Sequence, residues 1–145
     1  MTALLDVNVL VALAWPNHIH HEPARSWFEE QRSKGWATCS ITENAFVRIS
    51  SNPAVVDEAR TPLEAVILLR RLVGLGGHRF WEDDVSIARA EESELHRMHG
   101  YRQVLDVHLL RLAQRHRGRL ATFDRKIAAL LPEGEERRAR LLVLD

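Results

Sequence analysis

Short apolar runs alternate with amphipathic helical stretches along this 145-residue chain, and that alternation limits its fold more than any other feature. Ala3-Leu4-Leu5, Trp36-Ala37-Thr38-Cys39, Leu120-Ala121-Thr122-Phe123 and Leu141-Leu142-Val143-Leu144 read as buried strands, with His78-Arg79-Phe80-Trp81 as a marginal one. Helical spacing predicts helices over Val9 to Trp15, Glu22 to Lys34, Ile41 to Ser51, from Pro62 onward, Val85 to His99, Val104 to Arg117 and Arg125 to Leu131. Strands alternating with helices imply an α/β fold, a parallel sheet covered on both faces. In such sheets ligands bind outside the carboxyl ends of the strands. The side chains at those ends are therefore the ones to weigh.

The length fits one domain over residues 1–145. Twenty Lys and Arg balance twenty Asp and Glu, which excludes a chain that holds nucleic acid by bulk charge but leaves room for a local basic groove. Cys39 stands alone, so an intrachain disulfide and a cysteine-based zinc site are excluded. No apolar run reaches the ~18 residues of a membrane span. The start, Met1-Thr2-Ala3-Leu4-Leu5-Asp6, lacks the basic flank of a signal peptide. The expectation is a cytoplasmic protein.

Four carboxylates fall at strand-to-helix junctions or helix starts. Asp6 and Asp124 directly follow predicted strands, Glu43 lies in the first turn after the second strand, and Asp106 lies in the first turn of the Leu105-Leu109-Leu112 helix. Each has an ordinary reading. Ser40 and Glu43 fit a capping box, Asp6, Asn8 and Asp124 fit caps, and Asp106 suits a helix dipole. The joint pattern is less ordinary, because Asp6 interrupts Leu4-Leu5-Asp6-Val7 and Asp106 interrupts Val104-Leu105-Asp106-Val107. Carboxylates brought to one sheet edge repel and raise each other's pKa, which a divalent cation relieves. Hard oxygen ligands select Mg²⁺ or Mn²⁺, and such a centre suits phosphodiester hydrolysis.

Four segments carry a resemblance: Leu4-Leu5-Asp6-Val7-Asn8-Val9-Leu10, Thr42-Glu43-Asn44-Ala45-Phe46-Val47-Arg48-Ile49, Arg102-Gln103-Val104-Leu105-Asp106, and Leu120-Ala121-Thr122-Phe123-Asp124-Arg125. In order and spacing the chain resembles the PIN-domain ribonucleases, in particular the VapC toxins of bacterial type II toxin–antitoxin modules. The resemblance implies a three-layer α/β/α sandwich with a central, mainly parallel sheet. It implies that Asp6, Glu43, Asp106 and Asp124 form an acidic pocket for Mg²⁺ or Mn²⁺, with Asn8 and Thr122 holding the acids in place. It also implies endoribonuclease cleavage of tRNA or rRNA, a cognate VapB-type antitoxin and a homodimer. Two positions depart from the family's pattern: Leu105 stands where Thr is common, and Val107 where Ala is common. A lost hydroxyl beside Asp106 would weaken support of that ligand.

Other residues have simpler readings. His18, His20 and His21 read as an exposed or partly packed cluster rather than a transition-metal site. Glu82-Asp83-Asp84 reads as the cap of the helix expected from Val85, and Glu135-Glu136-Arg137-Arg138 as a solvated loop or helix end. Arg111, Arg115, Arg117 and Arg119 read mainly as solvated, with a few basic residues expected to rim the groove. The four tryptophans read as core or interface. Two rival functions stay open: a PIN-like RNA- or protein-binding module without strong catalysis, and a DNA nuclease using the same metal chemistry.

Overall fold

The computed structural model describes residues 1–145. Five strands form one all-parallel sheet: β1 (Ala3–Leu5), β2 (Trp36–Thr38), β3 (His78–Phe80), β4 (Arg119–Thr122) and β5 (Leu141–Val143), in the order β3-β2-β1-β4-β5. All three residues of β1 are fully buried, as a central parallel strand requires. Leu4 pairs with Ala37 on one side and Leu120 on the other, while Trp36 pairs with His78.

Side chains alternate between the two faces of the sheet, and each face builds its own core. On one face Ala3, Leu5 and Trp36 pack with residues of α1 (Val7–Ala14), α2 (His21–Gln31), α3 (Ser40–Ser50) and α4 (Pro62–Val73). On the other, Leu4, Ala37 and Leu120 pack against the Val107, Leu110 and Leu112 side of α6 (Val104–Arg115) and against Ile127 and Leu130. The result is the three-layer α/β/α sandwich. Two shorter helices complete the chain, α5 (Glu92–Leu95) and α7 (Glu135–Arg140). No helix is long and apolar enough to cross a membrane.

Local chemistry sets the element ends. Thr61 Oγ1 accepts from the Glu64 N–H at 3.2 Å while the Glu64 carboxylate accepts from the Thr61 N–H at 3.3 Å, so a reciprocal capping box starts α4 with Pro62 in its first turn. Gly77 enters β3 at φ +76°, where a Cβ would collide with the Arg32 carbonyl oxygen. Only glycine lets the chain pass the end of α2 that closely.

Three local expectations need correction. The segment expected as one helix from Val85 to His99 contains only a 3-10 turn at Ile87–Arg89 and the four-residue α5. Residues 82–86 instead lie as a strap along α6. Asp83 meets His108 at 2.6 Å, Asp84 meets Arg115 at 2.8 Å, and the Ser86 carbonyl accepts from Arg111 at 2.8 Å. Asp83 therefore caps a turn, accepting from the Val85 N–H at 3.2 Å, and no helix follows it. The helix expected after Asp124 is a 3-10 helix, Arg125–Leu130. Residues Glu135 to Arg138, expected as a solvated loop or helix end, lie within α7, which runs from Glu135 to Arg140.

Candidate active site

The chain builds β1, β2 and β3 outward in one direction, then returns to the other side of β1 for β4 and β5. That reversal leaves a crevice outside the carboxyl ends of β1 and β4, the place where open α/β sheets bind ligands. Asp6 follows β1 and Asp124 is the second residue after β4, so the topology alone sets them on either side of the crevice. Asp106 joins from the first turn of α6. Glu43 lies in the first turn of α3, beyond the neighbouring strand β2.

Asp6 is held on every side. It is the N-cap of α1, with Oδ1 accepting from the Val7 N–H at 2.7 Å, and it is only 7% exposed. Oδ2 accepts from the Thr122 hydroxyl at 2.8 Å and from Asn8 Nδ2 at 3.4 Å. Thr122, fully buried, in turn accepts from Asn8 Nδ2 at 3.0 Å and from the Asp124 N–H at 3.0 Å. Asn8 Oδ1 accepts from the Phe123 N–H at 3.1 Å, so the amide orientation is fixed by its neighbours. One threonine hydroxyl thus ties together β4, Asp6, Asn8 and Asp124. Asp124 also caps the turn after it, its Oδ1 accepting from the Lys126 N–H at 2.9 Å.

Asp106 is different, because no protein group donates a hydrogen bond to it. Its pKa is pushed up to about 6, first by burial and then by the charges of Asp6 and Asp124. Burial likewise raises Asp6, against the hydrogen bonds from Thr122 and Val7, with the Asp124 charge adding to the rise. The three aspartates are therefore close enough to feel one another, and none takes part in an ion pair with an Arg, Lys or His. Leu105, beside Asp106, is 46% exposed, while Val107 is buried in the core. Neither supplies the hydroxyl that would otherwise support Asp106.

Glu43 is not the N3 member of a capping box. Cys39 is the N-cap of α3, and it is Thr42 whose hydroxyl accepts from the Cys39 N–H at 3.0 Å. Glu43 Oε2 instead accepts from the Thr38 hydroxyl at 2.6 Å, and Thr38 Oγ1 lies 2.7 Å from His78 Nε2. The Glu43 charge acts on His78, and it is Asp6 and Asp124 that act on Asp106. Thr38 and His78 were missed by reading the sequence. One signal was available: Trp36-Ala37-Thr38 and Leu120-Ala121-Thr122 both end an apolar strand with the same Ala-Thr pair.

Asp106 and Asp124 line a cavity of about 360 Å³ whose other walls are His99, Gly100, Tyr101, Arg102, Gln103 and Lys126. Tyr101 is 80% exposed, and the Arg102 guanidinium lies 5.7 Å from its ring centre. A larger cavity, about 500 Å³ beside Trp15 and α4, contains none of the four acids. The histidine cluster has structural tasks: His18 Nδ1 accepts from the His20 N–H, His21 bonds the Ala12 carbonyl, and His20 stacks on Phe123.

Asp6, Asp106 and Asp124 offer carboxylate oxygens, a hard donor set, and none of the three is held in an ion pair. No three ligand-type side chains close into a cage. An open carboxylate set fits Mg²⁺, which keeps several of its waters and takes only one or two carboxylates from a protein. The residues present fit a hydrated divalent cation.

Comparison with known proteins agrees with this geometry. The PIN domain family model matches residues 3–130. The chain is 49% identical over 128 residues to "Ribonuclease VapC39" of Mycobacterium tuberculosis (strain ATCC 25618 / H37Rv), covering 88% of this chain and 92% of that one. It is 46% identical over 142 residues to "Ribonuclease VapC38" of the same strain, covering 98% and 99%. It is 44% identical over 128 residues to "Ribonuclease VapC44", covering 88% and 89%. A match running through all the strand-end acids, on an all-parallel sheet with its crevice between β1 and β4, places this chain in the PIN-domain family beside the VapC ribonucleases.

Proposed function

We propose that the chain is a divalent-metal-dependent endoribonuclease, the toxin of a type II toxin–antitoxin pair. The observation that carries this is the convergence of Asp6, Asp106 and Asp124 without a cationic partner, with Asp106 raised to about 6, on a chain whose relatives are named ribonucleases. Asp6 and Asp106 are the main ligands for Mg²⁺ or Mn²⁺, Glu43 completes the set, and Asp124 holds a second ion or orients water. The ion, when bound, supplies a Lewis acid for the phosphoryl oxygen and lowers the pKa of a coordinated water. Thr122 and Asn8 fix the Asp6 carboxylate before any substrate arrives, so little reorganisation remains at the reaction. Hydrolysis joins the water oxygen to phosphorus as the bond to the leaving ribose oxygen breaks, with no covalent enzyme intermediate. A VapB-type antitoxin restrains the toxin, and the toxin pairs as a homodimer. The VapC names of the relatives support the antitoxin.

The basic rim gives the groove its grip on a polyanion. Arg102 and Lys126 stand on the wall that Asp106 and Asp124 share, where they meet phosphates flanking the scissile one. Replacing both by Ala is expected to raise the KM for RNA by roughly tenfold and to flatten its salt dependence, with kcat nearly unchanged. A fall in kcat at constant KM would place them in the chemistry instead.

The reading is tested by digesting matched RNA and DNA oligonucleotides with the purified protein, with Mn²⁺ and with excess EDTA. Cleavage of RNA alone, lost with EDTA, is expected. Equal cleavage of DNA makes the chain a general nuclease, and no cleavage of either with clear RNA retention makes it a binding module.

A further inference from the structure

The two threonines that end β2 and β4 are built alike. Thr122 donates its hydroxyl proton to Asp6 and accepts from Asn8 Nδ2. Thr38, also fully buried, donates to Glu43 Oε2 at 2.6 Å and lies 2.7 Å from His78 Nε2. A threonine hydroxyl has one proton, and a carboxylate can only accept. Once that proton is given to Glu43, His78 must donate from Nε2, which fixes its protonation at that nitrogen. The short O···O distance is that of a charge-assisted bond. Glu43 Oε1 takes no hydrogen bond from the protein and is left free. His78 is itself held in place, its ring 4.7 Å from that of Trp36, and it enters β3 directly after the close passage at Gly77.

We propose that His78 is a positioning residue for Glu43: through the Thr38 hydroxyl it holds one carboxylate oxygen so that the other is presented to the cation. It rests on the metal-dependent reading of the acids given above. The arrangement follows a general rule, since groups that orient a ligand typically contribute ten- to a hundredfold in metal affinity.

The test measures Mn²⁺ binding to the purified full chain by calorimetry, which needs no RNA. His78→Phe keeps a ring against Trp36 and removes the donor, and is expected to weaken Mn²⁺ binding about tenfold. His78→Gln carries an N–H in place of Nε2 and is expected to stay within about threefold of wild type. Thr38→Val and Thr38→Ser form a second pair, with the loss in Val and the rescue in Ser. In a Glu43→Gln background, His78→Phe should add no further loss, because the two residues act as one unit. A structural role in packing would make Phe and Gln equal, or would make the two losses multiply, and either result overturns the proposal. Wild-type binding that Asp6→Asn abolishes, together with an unchanged His78→Phe, overturns this proposal alone. Wild-type protein that binds no Mn²⁺ overturns the metal-dependent reading and this one with it.

Discussion

Asp6→Asn is expected to lower RNA cleavage on the order of 1,000-fold while leaving the fold in place. The carboxylate charge is what a divalent cation needs, and removing it takes several kcal/mol of charge stabilisation from the transition state. The fold survives because asparagine is as good an N-cap as aspartate, and its side-chain oxygen still accepts from the Val7 N–H. The bond from Thr122 becomes a neutral one, and Asn8 Nδ2 remains the nearby donor. Burial currently opposes the Asp6 charge, so replacing it by a neutral group also removes an electrostatic cost. The check is single-turnover cleavage of an RNA substrate beside a melting curve. An inactive variant with an unchanged or higher Tm fits the account. An inactive variant that is unfolded says nothing of the metal, and Mn²⁺ binding to Asp6→Glu then serves as the second reading.

Asp106→Asn is expected to stabilise the metal-free protein at neutral pH and abolish cleavage at once. The ordinary carboxyl value of 3.8 is raised to about 6 in the folded chain. The folded state thus holds this proton more tightly than the unfolded state. The contribution to stability is fully present below the ordinary value and is lost as pH rises through about 6. At pH 7.5 the ionised carboxylate therefore weakens the metal-free fold. Taken in full, such a shift is about 3 kcal/mol. Asp106 is only partly buried, and solvent screening reduces this to about 1 kcal/mol. The variant should melt roughly 3 °C above wild type at pH 7.5 without metal, and the gap should narrow as pH falls through about 6 and close only below about pH 4. Added Mn²⁺ should raise the Tm of wild type and leave the variant unmoved. A variant that melts below wild type at pH 7.5 would contradict the electrostatic picture of the crevice.

The positions of these acids were legible because a parallel α/β chain must bring strand ends to one edge. Asp6 and Asp124 needed only the pattern of strands, and Asp106 needed only an acid set among apolar neighbours at the start of a strong helix. Glu43 was legible as a first-turn residue of the helix after the second strand, but its hydrogen-bonding partner was not. A capping box starting at Ser40 and one starting at Cys39 differ by one residue, and cysteine is a weak capping side chain that propensity does not favour. The helix expected from Val85 failed for a different reason. Its apolar residues have helical spacing, but the ties from Asp83, Asp84 and Ser86 to His108, Arg115 and Arg111 are formed across more than twenty positions of sequence. Long-range side-chain bonds override local periodicity and cannot be read from it. The Thr38–His78 bond spans forty positions and escaped for the same reason.

Cleavage of RNA by the strand-end acids, as proposed above, is tested most directly by sequencing RNA 5′ ends after brief expression of the wild type beside Asp6→Asn in a bacterium. New 5′ ends at a few defined sites, present with wild type and absent with Asp6→Asn, are the predicted result. Identical end profiles from the two proteins, both soluble and folded, would contradict it.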